Sequence, residues 1–286
     1  MVQYKFYYFD IRGLGEAIRL CFHYAGEKFE DIRFTHEQSQ PRKIVNKLIK
    51  GYFAFGRFFR IFPNKIRSLK ARGLELLEIG GFLVNHLFKL IEKNLENNRE
   101  FLKLISRPCM KGMRHSIFFL ILKNEFFYGK VPVLEIDGKQ LSQSGAILQY
   151  LSNKFGLAGK DDWEKAKIIE IFDFYRDVFN ELAPYNYAKW GVREGDVAMW
   201  INFERLFLPC AERVFPLFVK LLAESGSGFF GSSGVTYVDF VLAEYFEAVR
   251  SIEPEVIGKY KELTDFVAKV YAEPKLKTYL STRKTT

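Results

Sequence analysis

The 286-residue sequence predicts an α/β domain followed by an all-α domain, the first of them interrupted by a long insertion. Three observations support this fold class. Strand and helix patterns alternate on both sides of a segment of foreign composition, which covers about residues 40–127. Removing that segment joins the flanks into one α/β domain, expected at residues 1–153. From Asp161 onward the pattern is only helical, which predicts a second domain at 160–286.

The N-terminal flank reads as strand, helix and strand. Residues 3–9 form a strand rich in aromatic side chains. The stretch "GEAIRLCFHYAGE" then has apolar residues at helical spacing and stops at Gly26. Residues 29–34 alternate polar and apolar side chains, which is typical of a second strand.

The pattern resumes after the insertion. We expect a strand at 131–136, a hairpin turn at Asp137-Gly138, a strand around Gln140-Leu141 and a helix from about Ser144 to Phe155. The complete order is β-α-β, insertion, β-β-α. This order predicts a thioredoxin-like domain.

The C-terminal part contains two strong helix signals. A long apolar stripe advances in steps of four and three residues: Ile168, Phe172, Tyr175, Phe179 and Leu182. Further on, Thr236 stands three residues before Asp239, which predicts a capping box with Asp in place of Glu. Most of the aromatic residues here are expected to form the core.

The inserted segment carries the basic charge of the chain. Residues 41–128 contain 18 Lys and Arg against 6 Asp and Glu, and they lack Asp, Thr, Gln and Trp entirely. Only residues 82–105 show a helical stripe. The segment has three interpretations: a basic arm for nucleic acid or anionic membrane, a lineage-specific folded insertion, or translated non-coding sequence. We favour the third, because the composition resembles A+T-rich nucleotide sequence read as codons.

Several functional classes are disfavoured by composition. The longest apolar run, 117–122, is too short for a membrane span, and the N-terminus has no secretory pattern. The scattered cysteines, Cys21, Cys109 and Cys210, suit a reduced cytoplasmic protein, and the four histidines have no metal-ligand spacing. We therefore expect a cytoplasmic protein without a metal, a membrane span or a nucleic-acid partner.

A family resemblance rests on three stretches: "YKFYYFDIRGLGEAIRL", "GKVPVLEIDGKQLSQSGAILQYLSNKFGLAG" and "GVTYVDFVLAEYFE". In them the chain resembles the cytosolic glutathione transferases, most closely the sigma class that includes prostaglandin D synthase of the haematopoietic type. The resemblance covers essentially everything outside residues 40–127. It implies a homodimeric detoxification enzyme that conjugates the thiolate of glutathione, its co-substrate, to hydrophobic electrophiles, with prostaglandin-type isomerase or peroxidase activity as further expectations. The alternatives are a non-catalytic protein on the same fold that binds hydrophobic ligands or serves structurally, and an intron-retaining product.

The resemblance assigns the site to these residues: Tyr8, Gly129, Lys130, Val131, Pro132, Gln143, Ser144 and Asp177. The hydroxyl of Tyr8 is the expected catalytic group, because one charge-assisted hydrogen bond can supply much of the ~2.7 kcal/mol that lowers a thiol pKa by about two units. Tyr7 should point to the opposite face of the strand. A Pro132 held in cis would let the Val131 backbone pair with the cysteinyl part of glutathione.

The two charged ends of the ligand have separate expectations. The pair Gln143-Ser144 would hold the γ-glutamyl carboxylate at a helix N-terminus, although Ser144 also suits a plain N-cap. In the family, an acidic residue at the position of Asp177 reaches the ligand's amino group across a dimer. The alternative for Asp177 is a solvated acidic face, on which Asp173 pairs with Arg176.

Two positions depart from the family pattern. A Trp and then a Lys usually follow the second strand and bind the glycine carboxylate, but here the inserted segment begins at that point. Lys43 falls near the right offset, and the first Trp of the chain is Trp163. Leu14 stands where some relatives carry an Arg that supports the site.

Overall fold

The computed structural model describes residues 2–34, 126–190 and 203–284. The chain divides into two compact units, Met1–Arg33 with Lys130–Thr286, and Phe34–Gly129. The expected insertion at 40–127, including its helical stripe and Lys43, lies outside the described residues except for 126 and 127. The predicted domain limits at 153 and 160 remain a prediction.

In the described part of the chain, four strands form one sheet in the order β2-β1-β3-β4. The strands are β1 (Tyr4–Phe9), β2 (Glu30–Phe34), β3 (Val133–Ile136) and β4 (Lys139–Ser142). Strand β3 pairs antiparallel with both β1 and β4. The hairpin between β3 and β4 turns at Asp137 and Gly138, whose φ angles are 49° and 81°. Two consecutive positive φ angles are what a two-residue hairpin turn requires.

Strand β3 begins two residues later than the sequence pattern indicates. The expected strand starts at 131, whereas the observed one starts at Val133. Pro132 has no N–H to donate to the ladder, so regular pairing begins after it.

Two helices pack with the sheet, α1 (Glu16–Ala25) and α2 (Ser144–Phe155). Each ends at a glycine in the left-handed conformation, Gly26 with φ 70° and Gly156 with φ 71°. Glycine adopts this conformation without the steric cost that a side chain would add, so both helices stop where the sequence predicts. The thioredoxin-like expectation is confirmed.

The C-terminal part consists of helices, as the sequence predicts. In the described residues they are α3 (Asp162–Lys189), a π-helical turn (Phe203–Phe207), α4 (Leu208–Ser225), α5 (Tyr237–Ile252), α6 (Pro254–Ile257), α7 (Lys261–Tyr271), a 3₁₀ turn (Pro274–Leu276) and α8 (Lys277–Thr282). The predicted capping box of α5 is present. Asp239 accepts hydrogen bonds from the backbone N–H and the hydroxyl of Thr236, at 2.7 and 2.8 Å, and from the N–H of Phe230 at 2.7 Å.

A buried carboxylate joins the start of α3 to the segment before α5. Glu164 accepts hydrogen bonds from the N–H groups of Lys160 and Ser233, at 2.6 and 2.7 Å, and from the hydroxyl of Ser232 at 2.9 Å. Burial opposes ionisation, but these donors together lower the pKa of Glu164 to about 2. The contact is therefore made by the charged form.

The apolar stripe of α3 faces the core. Ile168, Phe172, Tyr175 and Leu182 are buried, and Phe179 packs against them. In the sheet, Tyr4 is buried on the same face of β1 as Tyr8, as expected from the period of two.

Candidate functional site

The strand register brings three separate segments to one edge of the sheet. Tyr7 lies opposite Val133, and Val133 lies opposite Ser142. The next residue outward on each segment is Tyr8 on β1, Pro132 before β3 and Gln143 after β4. Residues that the sequence separates by more than a hundred positions are therefore neighbours here.

Tyr8 presents its hydroxyl at this edge from a buried ring. The side chain is only 5% exposed, and its oxygen accepts a hydrogen bond from the N–H of Leu14 at 3.0 Å. Burial raises the pKa of Tyr8 to about 12, although the Leu14 N–H acts in the opposite direction. The phenol is therefore neutral near pH 7. Among the described residues, the Tyr8 hydroxyl takes part in hydrogen bonding only as an acceptor, from the N–H of Leu14.

Tyr7, the neighbouring residue on β1, points to the other face of the sheet. Its hydroxyl donates to Glu135 at 3.3 Å, on β3. The prediction that the two adjacent tyrosines face opposite sides is confirmed.

Two glycines allow the loop between β1 and α1 to lie against Tyr8. A Cβ atom at Gly13 would lie 2.8 Å from the Tyr8 oxygen, and one at Gly15 would overlap the ring itself. Only glycine permits so close an approach of backbone to a side chain. The intervening Leu14 thereby directs its N–H to the phenol oxygen.

The buried guanidinium of Arg19, on α1, supports the same loop. Arg19 is fully buried, and its Cζ lies 5.8 Å from the centre of the Tyr8 ring. It donates hydrogen bonds to two carbonyls and two carboxylates: Phe9, Ile11, Glu16 and Asp31. The carbonyls belong to the end of β1 and the start of the loop, so Arg19 holds that part of the backbone in place.

The start of α2 has a backbone conformation that points to function. Gln143 occupies the N-cap position with φ 74° and ψ 120° and forms no side-chain cap hydrogen bond. A positive φ at a residue other than glycine costs about 1–3 kcal/mol and is common at ligand sites. Ser144 is the first helical residue instead of the N-cap, so the plain capping role is not observed. The first N–H groups of a helix have no acceptor within it and favour an anion.

The residues before β3 leave backbone groups outside the ladder. The Val131–Pro132 peptide bond is cis, as the resemblance implies. Val131 precedes the first paired residue of β3, so its N–H and C=O are not used by regular strand pairing. Lys130 is exposed. Gly129, which belongs to the second unit, has φ 57° and donates its N–H to the carbonyl of Phe126 at 2.7 Å.

Asp177 lies on the exposed face of α3. One turn earlier, Asp173 is 3.9 Å from Arg176, which is the surface ion pair that the sequence suggested. The expected contact of Asp177 with a ligand across a dimer stays a prediction.

Sequence reasoning missed the groups that hold Tyr8, namely Leu14, its two flanking glycines and Arg19. The signal was present as "GLG" between a strand and a helix, because paired glycines often mark a close backbone approach. The side chain at position 14 was expected to matter, but the contact with Tyr8 is made by its backbone. Any residue except proline can supply that N–H.

Within residues 2–34, 126–190 and 203–284, no group of three or more His, Cys, Asp and Glu side chains is arranged to hold a metal ion. Over the same ranges, no helix has both the length and the apolar character needed to cross a membrane.

Sequence models of known families match two parts of the chain. The model described as Glutathione S-transferase, C-terminal domain, matches residues 202–283, and the corresponding N-terminal domain model matches residues 119–153. Among curated proteins, probable glutathione S-transferase 9 of Caenorhabditis elegans is 33% identical over 165 residues, which are 58% of this chain and 79% of that relative. Glutathione S-transferase 1 of Ascaris suum is 28% identical over 99% of this chain and 98% of its own length.

Solved structures of nematode proteins are similar over the whole chain. A monomeric glutathione S-transferase, Na-GST-3 of Necator americanus, has a TM-score of 0.66 at 27% identity, with 99% of this chain and 98% of that chain covered. A Nu-class enzyme from Haemonchus contortus has a TM-score of 0.64 at 27% identity, with 100% and 99% covered.

Proposed function

The chain belongs to the glutathione S-transferase family, and we propose that its Tyr8 hydroxyl activates the thiol of glutathione for attack on hydrophobic electrophiles. It is a transferase that uses glutathione as co-substrate. One observation supports the assignment of Tyr8: it is a buried, neutral phenol whose oxygen is held by a backbone N–H. We infer that its own proton is available to the sulfur of the ligand.

The proposed chemistry follows from that proton. A thiol with a pKa near ~8.5 is only a few per cent ionised at pH 7. A hydrogen bond from the Tyr8 O–H favours the thiolate over the thiol, since it is stronger to the charged form. The thiol proton leaves to solvent, and the sulfur electron pair then forms the bond to the electrophilic carbon. In a halonitrobenzene the carbon–halogen bond then breaks, and halide leaves with its electron pair. Tyr8 itself keeps its proton throughout, because its pKa is about 12.

Glutathione binding is assigned by the same proposal to groups at the sheet edge. The backbone of Val131 pairs with the cysteinyl part, and the start of α2 at Gln143 and Ser144 holds the γ-glutamyl carboxylate. Support comes from the positive φ of Gln143, which gives the helix start a costly conformation without a capping bond. Lys130 precedes Val131 in the proposed binding segment, and the expected role of Gly129 stays a prediction.

The class within the family belongs to the proposal. We expected the sigma class, but the similar structures include a Nu-class enzyme, so the sigma assignment has no specific support. Prostaglandin-type isomerase and peroxidase activities accordingly rank below conjugation, and each is tested by supplying the endoperoxide or the hydroperoxide to the purified chain.

The homodimer is likewise a proposal. Asp177 would reach the amino group of glutathione only in a second copy, and its exposure on α3 is compatible with that role. One similar nematode transferase is described as monomeric. Light scattering at several concentrations gives the oligomeric state, and Asp177→Asn should weaken glutathione binding only in a dimer.

The inserted segment is proposed to be translated non-coding sequence. The 165 aligned residues of the Caenorhabditis elegans relative are 79% of its length, so that relative has about 209 residues. It is shorter than this chain by about 77 residues, which is close to the size of the segment at 40–127. Sequencing the transcript across residues 38–129 tests this. The proposed location is the cytoplasm, since the described cysteines, Cys21 and Cys210, are buried and unpaired.

The decisive experiment separates an enzyme from a non-catalytic member of the family. The chain should be retained on immobilised glutathione, eluted by free glutathione, and should conjugate a chromogenic halonitrobenzene. A chain that binds glutathione and hydrophobic dyes without any turnover would support the binding role instead.

A further inference from the structure

A ring of hydrogen bonds and ion pairs joins the loop beside Tyr8 to the helical part of the chain. It consists of Arg12 in the loop, Glu244 on α5, Tyr271 on α7 and Arg283 after α8. Arg12 donates to Glu244 at 2.7 Å and to the Tyr271 hydroxyl at 3.0 Å. The other carboxylate oxygen of Glu244 accepts from Tyr271 at 2.8 Å and from Arg283 at 2.7 Å. Glu244 is 7% exposed, so water competes little for these bonds.

Arg12 also fixes the turn that presents the Leu14 amide. Its carbonyl accepts from the N–H groups of Gly15 and Glu16, at 3.1 and 2.9 Å. The N–H of Leu14, inside this turn, is the one that donates to Tyr8 at 3.0 Å. The position of Arg12 therefore sets the position of the amide that orients the phenol.

The loop needs an anchor on this side. Its two glycines remove the side chains that would otherwise stiffen the backbone. Arg19 holds the first half of the loop through the carbonyls of Phe9 and Ile11. The second half, next to Leu14, is held by the side chain of Arg12 and hence by the carboxylate it binds.

We propose that Glu244 is a positioning residue for the reaction: it fixes Arg12, and through Arg12 the loop whose Leu14 amide orients the Tyr8 hydroxyl toward the sulfur of glutathione. The proposal rests on the proposed function of Tyr8. Glu244 touches neither the ligand nor the reacting atoms, and it lies 232 residues from Arg12 in the sequence.

The test compares Glu244→Gln with Glu247→Gln in the full chain. Glu247 is one turn further along the same helix and pairs with Arg250 at 2.8 Å. The measurements are kcat, KM for glutathione and the pKa of the bound thiol, read from thiolate ultraviolet absorbance against pH. Glu244→Gln should lower kcat at pH 7 by a few-fold, and by no more than Tyr8→Phe does, and should raise the thiol pKa, with KM for glutathione little changed. Glu247→Gln should alter none of them.

Two further variants separate the possible results. Tyr271→Phe removes the hydroxyl that bonds to Arg12 and Glu244 but keeps the ion pair between those two residues. It should raise the thiol pKa by less than Glu244→Gln does, and it replaces that variant in the test if Glu244→Gln does not fold. In a Tyr8→Phe background, Glu244→Gln should raise the thiol pKa no further, since the two changes act through one group.

The results that overturn the proposal are distinct from those that overturn the role of Tyr8. If Glu244→Gln and Tyr271→Phe lower the melting temperature but leave the thiol pKa unchanged, the ring is only structural and the positioning proposal is wrong. If Tyr8→Phe itself leaves the thiol pKa unchanged, the proposed function of Tyr8 is wrong, whatever Glu244→Gln does.

Discussion

Replacing Tyr8 by phenylalanine removes one oxygen from the site and little else. The ring is buried, and Phe keeps its packing against the loop, so the fold should tolerate the change. The Leu14 N–H loses its acceptor. What the ligand loses is the hydrogen bond from a neutral phenol to its sulfur.

The size of the effect follows from that one bond. A hydrogen bond to a charged group contributes about 1.5–3 kcal/mol, which corresponds to roughly 1.1–2.2 units of thiol pKa. If the bound thiol has a pKa of about 6.5 with Tyr8, roughly three quarters of it is ionised at pH 7. In Tyr8→Phe the pKa becomes about 7.6–8.7, so the thiolate fraction and kcat at pH 7 fall by about 4-fold to 40-fold.

The dependence on pH gives the sharper measurement. Near pH 10 the thiol is largely ionised in both proteins, so the difference in kcat should close. The wild-type phenol still donates there, because the pKa of Tyr8 is about 12. The assay is conjugation of a halonitrobenzene from pH 5.5 to pH 10, with the thiolate absorbance of the bound ligand titrated in parallel. Affinity for glutathione should change little.

The matched control is Tyr7→Phe. It removes the same atom from the adjacent residue of the same strand, where the hydroxyl donates to Glu135 on the opposite face. It should leave both the thiol pKa and kcat unchanged. Loss of activity in Tyr7→Phe with normal activity in Tyr8→Phe would refute the assignment of strand faces and with it the proposed mechanism.

Three other predictions concern binding, stability and the inserted segment. Ser144→Ala should weaken glutathione binding by about 1 kcal/mol in calorimetry, because it removes a hydroxyl at the anion site, while Ser142→Ala at the end of β4 should not. Unchanged affinity with a lower melting temperature would indicate that Ser144 serves only the stability of the fold. Glu164→Gln should lower the free energy of unfolding at pH 7 by about 1.5–3 kcal/mol, more than Glu181→Gln at an exposed ion pair. That loss of stability should shrink as pH falls from about 4 toward 2. The Glu164 carboxylate stabilises the fold fully above its pKa in the unfolded chain, near ~4.3, and no longer does so below its pKa in the folded chain, about 2. A loss that is constant with pH would contradict the charge-based explanation. Replacing residues 40–127 by a short linker should raise the melting temperature and leave weak glutathione binding, which a Trp and a Lys at the family spacing should strengthen. Loop closure of the longer connection costs only about 1.8 kcal/mol. Tighter binding of glutathione by the full chain would show that the segment contributes to function.

Local rules were sufficient where local chemistry determines the structure. The period of two in β1 separates Tyr7 from Tyr8, Gly26 ends α1, and Thr236 with Asp239 starts α5, all as the sequence predicts. Each of these depends on residues at most a few positions apart. Their geometry is therefore readable without any tertiary information.

The anchoring of the loop beside Tyr8 depends on a long-range contact that no local rule describes. Arg12 and Glu244 are 232 residues apart, and each alone reads as an ordinary charged residue on a loop or a helix. The positive φ of Gln143 was also not predictable, since glutamine carries no preference for that conformation. Leu14 acts through its backbone, so its identity carried no signal.

The groups around Tyr8 and the expected binding site for the glycine end of glutathione belong to different parts of the chain. The described residues that contact the phenol of Tyr8 include Gly13, Leu14 and Arg19, all before residue 34. The hydrogen bonds that anchor the loop at Arg12 come from residues after 237. In the sequence, the segment at 40–127 interrupts the connection between β2 and β3, where the family resemblance implies a binding site for the glycine end of glutathione. The proposal therefore assigns activation of the sulfur and retention of the glycine carboxylate to different stretches of the chain. If the proposed function of Tyr8 is right, an interruption at this point should change the affinity for glutathione and leave the pKa of its thiol unchanged.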